Sequence, residues 1–109
     1  MTFSEIIARK RDGEDLSQKD ILQFVQGARD GSVPVEQLSA LLMAICIRGM
    51  TTEETGWLTQ GMLHSGEIWG LADAVPEAVD KHSTGGVGDK VSFLLAPIAA
   101  ACGCYVPMI

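Results

Sequence analysis

Apolar positions recur at helical spacing through roughly the first sixty-five residues and then lose that period. In FSEIIARKRDG, Phe3, Ile6, Ile7 and the stem of Lys10 share one face, and Gly13 supplies a stop, which predicts a short first helix. LSQKDILQFVQGARDG offers Ser17 as N-cap with Asp20 three residues on, then Ile21, Leu22, Phe24, Val25 and Ala28 at helical spacing before Gly31. SVPVEQLSALLMAICIRG places Pro34 near a first turn, where a missing N–H costs nothing, and is apolar on nearly every side from Leu38 to Ile47, so it predicts a helix buried on two faces. TTEETGWLTQGMLHSG opens on a capping-box pattern, Thr51 with Glu54, and is expected to turn Trp57, Leu58, Met62 and Leu63 inward before Gly66. About four helices thus form a helical domain over residues 1–65.

The character changes in EIWGLADAVPEA, where Gly70 and Pro76 interrupt any period, and residues 66–78 read as a linker or hinge. Ala78 and Val79 then end a short strand, a polar glycine loop follows, a helix begins at Lys90 or Val91 and runs to about Cys102, and Tyr105 to Ile109 reads as the next strand. Strand, loop, helix and strand are the opening of an α/β unit, so residues 79–109 predict the start of an α/β domain and the fold class is α followed by α/β. The uncharged run from Val91 to Ile109 has the length of a membrane span, but Ser92, Pro97, Gly103 and Pro107 divide it into a buried helix and a buried strand. Its end on Pro107, Met108 and Ile109 has no polar stop, so the chain reads as the opening part of a longer one.

Composition narrows the function classes. The chain of 109 residues carries a formal charge of −6 with no basic patch, which argues against nucleic acid or a membrane surface as partner. Charges in MTFSEIIARKRDGEDL occupy the place of a signal peptide's apolar core, so secretion is not indicated. Cys46, Cys102 and Cys104 lie in apolar surroundings and suit reduced, packed thiols of a cytoplasmic protein. Neither His64 nor His82 stands at zinc-ligand spacing from them.

The candidate chemistry sits in VDKHSTGGVGDKVS, residues 79–92. Gly85, Gly86 and Gly88 let backbone N–H groups approach a ligand closely, and the helix that follows aims its positive end at the same place. Lys81 adds a full charge, and Ser83, Thr84 and Ser92 add hydroxyl donors, a set suited to the several oxygens of a phosphate. The spacing is neither G-x-x-x-x-G-K-[ST] nor G-x-G-x-x-G. A plain glycine turn joining strand to helix is the competing reading. His82, between Lys81 and Ser83, has an imidazole that titrates near about 6.5 when unperturbed and can give a proton or hydrogen bond to a leaving group; a surface role is its alternative. His64 falls in the last turn of a helix and reads as structural, Asp89 as a helix cap, and Cys102 and Cys104 as packing residues.

VDKHSTGGVGDKVS together with LLAPIAAACGCYVPMI resembles the thymidine and pyrimidine-nucleoside phosphorylase family, its thymidine phosphorylase branch most closely, and IIARKRDGEDLS, QLSALLMAICIRGMTTEET and LTQGMLHSG are similar to that family's amino-terminal helices. The resemblance implies a pentosyltransferase, a homodimer built through its small helical domain, that cleaves pyrimidine nucleosides with inorganic phosphate as co-substrate and without an organic cofactor. Carried over, it makes Lys81, Ser83 and Ser92 phosphate ligands beside the Gly85–Gly86 backbone, and His82 the residue that meets the base and assists its departure. Some members hold a potassium ion near the positions of Gly88 and the residue two after it; Lys90 stands here where they have a threonine, a departure that speaks against that metal. The family continues past VPMI with a further phosphate loop and the segments that grip the base, so these residues are expected to be inactive alone. Two rivals stand beside this reading: a helical dimerisation module without catalysis, and an enzyme like anthranilate phosphoribosyltransferase, which uses a Gly-Thr-Gly-Gly-Asp loop with diphosphate and magnesium.

Overall fold

Side-chain caps set where the first helices begin. The computed structural model describes residues 2–75, 77–81 and 90–107. Helix α1, Phe3–Arg11, starts where the Thr2 backbone N–H donates to Glu5 Oε2 at 2.6 Å. Helix α2, Gln18–Asp30, starts at Ser17, whose N–H and hydroxyl donate to Asp20 Oδ2 at 3.0 and 2.7 Å, and stops at Gly31, whose φ of 72° is open to glycine and costly for other residues. Helix α3, Val35–Arg48, follows Pro34, and α4, Thr52–Ser65, follows Thr51, whose N–H donates to Glu54 Oε2 at 2.7 Å.

These four helices lie in one compact unit, Met1–Ile68, in which α1 packs chiefly on α3 and α2 on α4. Phe3, Ile6, Leu16, Ile21 and Leu41 form its centre. Leu41 is completely buried, a burial that stabilises by about 1.5–3 kcal/mol. Gly61 lets α2 and α4 approach, since a Cβ there would stand 3.2 Å from Val25 Cγ2 and 3.3 Å from Leu22 Cδ2.

Four expectations about packing are corrected here. Helix α3 buries one face: Leu41 and Ala44 are inside, while Met43 and Ile47 are exposed, because a turn of about 100° per residue carries them to the opposite side. On α4, Glu54 and Gly61 are the buried positions, and Leu63 falls on the far side of them with Met62 on the flank, both exposed. Leu22 and Ala28 of α2 are also exposed. Lys10 buries its charged end as well as its stem: the ammonium meets Glu54 at 2.8 and 2.9 Å, and both residues are removed from water.

The second unit, Trp69–Ile109, contains a short helix α5, Leu71–Ala74, within the span that lacked a period, and α6, Lys90–Ala101, with Pro97 inside it. Ala78 and Tyr105 form a parallel bridge, and the Val79 N–H donates to the Tyr105 carbonyl at 2.8 Å. The two expected strands are thus parallel, but among the described residues they pair at that bridge alone; Met108 and Ile109 lie outside those residues. Helix α6 differs from the expected buried helix, since none of its residues is buried and Phe93 is 83% exposed: the described part of this unit offers no sheet face broad enough to cover it. The thiols also differ from expectation. Cys46 and Cys102 are exposed and Cys104 is half-buried, because Cys46 lies on the outward side of α3 and Cys102 follows the uncovered α6. Among the described residues, no helix is long and apolar enough to cross a membrane.

Candidate functional site

The parallel bridge stands just before two polar residues, Asp80 and Lys81. The Val79 N–H is tied to the Tyr105 carbonyl, and Asp80 and Lys81 follow directly on the carboxyl side of the bridge, the side on which parallel α/β sheets bind ligands. Asp80 Oδ1 accepts the backbone N–H of Lys81 at 2.8 Å, and the Lys81 side chain reaches across to α6, where Nζ donates to Ser92 Oγ at 2.9 Å. Ser92 is the third residue of α6, within the turn whose unpaired N–H groups give a helix its positive end. Lysine and serine are both half-buried.

This pair has defined donor capacity. An ammonium carries three N–H groups, of which one is spent on Ser92 among the described residues. The Ser92 oxygen accepts from the lysine, so that bond does not use its own hydrogen. A cavity of about 190 Å³ opens beside them, lined by Asp80, Lys81 and Ser92 and by apolar Leu95, Ala99 and Val106 among others. One side therefore offers charge and hydrogen bonds, and the other excludes water, which strengthens those interactions.

Of the residues singled out in the sequence, the structure brings Lys81 and Ser92 together. His82, Ser83, Thr84, Gly85, Gly86, Gly88 and Asp89 lie outside the described residues. Lys90 opens α6 and is exposed. His64 is exposed in the last turn of α4, its Nε2 3.2 Å from Gln60 Oε1. Asp80 is the site residue that sequence reasoning passed over, although its place between the strand end and Lys81 was the available signal. Among the described residues, no group of three or more His, Cys, Asp or Glu side chains is arranged for a metal ion.

Comparison with known proteins covers both units. Residues 4–66 match the glycosyl transferase family, helical bundle domain, and residues 75–109 match the glycosyl transferase family, a/b domain. The thymidine phosphorylase of Homo sapiens is 55% identical over 106 residues, 96% of this chain and 22% of its own length. That of Rhizobium meliloti (strain 1021) is 51% identical over 109 residues, 100% of this chain and 25% of its own length. That of Colwellia psychrerythraea is 51% identical over 105 residues, 96% of this chain and 24% of its own length. The chain thus spans about a quarter of the length of the curated relatives it matches.

Proposed function

Because the chain belongs to the glycosyl transferase family, whose helical bundle and a/b domains it matches over residues 4–66 and 75–109, we propose that it supplies the phosphate-holding part of a pyrimidine nucleoside phosphorylase. The reaction is thymidine and inorganic phosphate to thymine and 2-deoxyribose 1-phosphate. The observation that carries this reading is the Lys81–Ser92 pair, 2.9 Å apart just after the Ala78–Tyr105 bridge and lining a cavity. The name shared by relatives at about half identity supplies the substrate.

The chemistry follows from where charge develops. As the bond between the sugar's anomeric carbon and the base nitrogen breaks, its electrons pass to the base and positive charge grows on the sugar. A phosphate held by Lys81, Ser92, Ser83 and the Gly85–Gly86 backbone presents an oxygen to that carbon, stabilises the charge and forms the new carbon–oxygen bond. His82 meets the base and assists its departure by donating a hydrogen bond as negative charge arrives there. Residues 66–78 act as the hinge between the helical domain, 1–65, and the α/β domain that begins at 79. The reading places the protein in the cytoplasm, where stable structural disulfides are rare.

A second reading concerns assembly. The exposed side chains of Leu42, Met43 and Ile47 on α3 favour a homodimer through the helical domain, which is compatible with catalysis and would survive without it. Sedimentation of the chain over a concentration series tests it: a monomer throughout would remove it.

The catalytic reading is tested by letting this chain replace the matching quarter of the Rhizobium meliloti relative and measuring phosphate-dependent release of thymine from thymidine. Activity in the chimaera that disappears with His82→Ala and weakens with Lys81→Ala supports it, and the 109-residue chain alone is expected to be silent. A folded chimaera that releases no thymine overturns the reading.

A further inference from the structure

The end of α6 carries two thiols that the phosphate chemistry does not use. Its last turn closes with the Gly103 N–H on the Ala100 carbonyl at 3.0 Å and the Cys104 N–H on the Ala99 carbonyl at 3.1 Å, the paired bonds of a glycine-terminated helix. Gly103 has a φ of 95°, and a Cβ at that position would meet nothing within 4 Å. The turn is therefore open on the glycine side. It places a free, exposed Cys102 and a free, half-buried Cys104 on either side of that one residue.

We propose that Cys102 and Cys104 form a dithiol that exchanges with small-molecule disulfides and closes into an intrachain disulfide. Two peptide units span at most about 7 Å when fully extended, and a disulfide accepts Cα separations of about 4.4–6.8 Å, so a chain bent at Gly103 lies within the bridging range. The exposed Cys102 is the entry point. Its thiolate attacks one sulfur of the disulfide reagent, forming a mixed disulfide and releasing one thiolate; the Cys104 thiolate then attacks the Cys102 sulfur and expels the second. Two electrons pass from the cysteine pair to the reagent, which leaves as two thiols carrying the two protons. The second step is intramolecular and faces an effective concentration on the order of millimolar or above, so it outruns addition of a second reagent molecule. The turn immediately precedes Tyr105, the residue whose carbonyl holds the Val79 N–H.

The test uses the Cys46→Ser chain, which removes the remaining cysteine at an exposed position. It is treated with oxidised glutathione, blocked with iodoacetamide and weighed by mass spectrometry. A product lighter than the reduced chain by two hydrogens, closed to alkylation and restored by dithiothreitol, is the expected result. The Cys46→Ser, Cys104→Ser chain is expected to take up one glutathione instead. Two glutathiones on the Cys46→Ser chain, two alkylated thiols, or a disulfide between copies would each overturn the proposal.

Discussion

Lys10 and Glu54, 44 positions apart, meet in the helical unit as a buried ion pair, the ammonium 2.8 and 2.9 Å from the two carboxylate oxygens. The same carboxylate accepts the Leu16 N–H and the Thr51 N–H, each at 2.7 Å, so one side chain ties α1, the entry to α2 and the start of α4. Removing one partner of such a pair strands a charge away from water. Lys10→Met is expected to cost about 3–5 kcal/mol in urea unfolding. Adding Glu54→Leu to it should restore little, because the Leu16 and Thr51 amides would then lose their acceptor. Recovery of full stability in the double variant would show that the pair, and not the amides, sets the cost.

The pH dependence has a definite sign. Burial works against the charge on Glu54, but the Lys10 ammonium and the Leu16 and Thr51 amides outweigh it and hold the carboxyl below its ordinary 4.5. Burial likewise opposes the charge on Asp20, and the Ser17 hydroxyl and amide with the Arg9 guanidinium bring it below 3.8. A carboxyl held low in the folded chain binds fewer protons than in the unfolded one, so its contribution is complete above the ordinary value and is lost as pH falls through the folded one. Urea midpoints are expected to hold steady down to about pH 4.5 and then to fall. In Glu54→Gln the fall should be shallower, starting from a lower plateau; an identical slope would detach Glu54 from it.

The helices of the first unit were legible because their signals are local. Ser17 with Asp20, Thr51 with Glu54, and Gly31 are cap residues whose partners lie within one turn, and each does in the structure what its spacing implies. Which face each helix buries was less legible: the apolar residues of α3 outnumber the positions its neighbours cover, so Met43 and Ile47 read as core and stand outside. Lys10 was read as a stem because its partner lies on another helix, and no periodicity reports a contact of that range. In the second unit helix α6 and the segments on either side that meet at the Ala78–Tyr105 bridge were readable from Gly and Pro punctuation, whereas the direct contact of Lys81 with Ser92 was not, since the sequence offered them only as separate donors. The cover on α6 was not, since the run reads as buried whatever its neighbours are.

Two glycines make opposite predictions for one substitution. A Cβ at Gly27 in α2 would collide with the stiff, β-branched Val33 side chain just past the helix, whereas a Cβ at Gly56 in α4 meets nothing within 4 Å. Gly27→Ala is expected to destabilise by about 1–3 kcal/mol, helix propensity notwithstanding, and Gly56→Ala to stabilise by up to about 1 kcal/mol. Thermal unfolding of the two single variants checks this. Stabilisation in both would mean that Val33 moves aside.

Lys81 and Ser92 give the prediction nearest to function. Hydrogen bonds to a charged group contribute about 1.5–3 kcal/mol, and each 1.4 kcal/mol is tenfold in affinity, so Lys81→Ala in the active chimaera should raise KM for phosphate by about 10–100-fold. Ser92→Ala removes a neutral donor and should cost less, about 3–10-fold. Because the two side chains bond to each other at 2.9 Å, their effects should not add: once the lysine is gone, the serine has lost the contact that orients its hydroxyl. Lys81→Arg is not expected to rescue, since a planar fork cannot replace a compact ammonium in a cavity of about 190 Å³. KM for thymidine should change little in all of them if, as proposed, the pair holds phosphate and not the base. A larger effect on thymidine than on phosphate would move Lys81 and Ser92 out of the anion site.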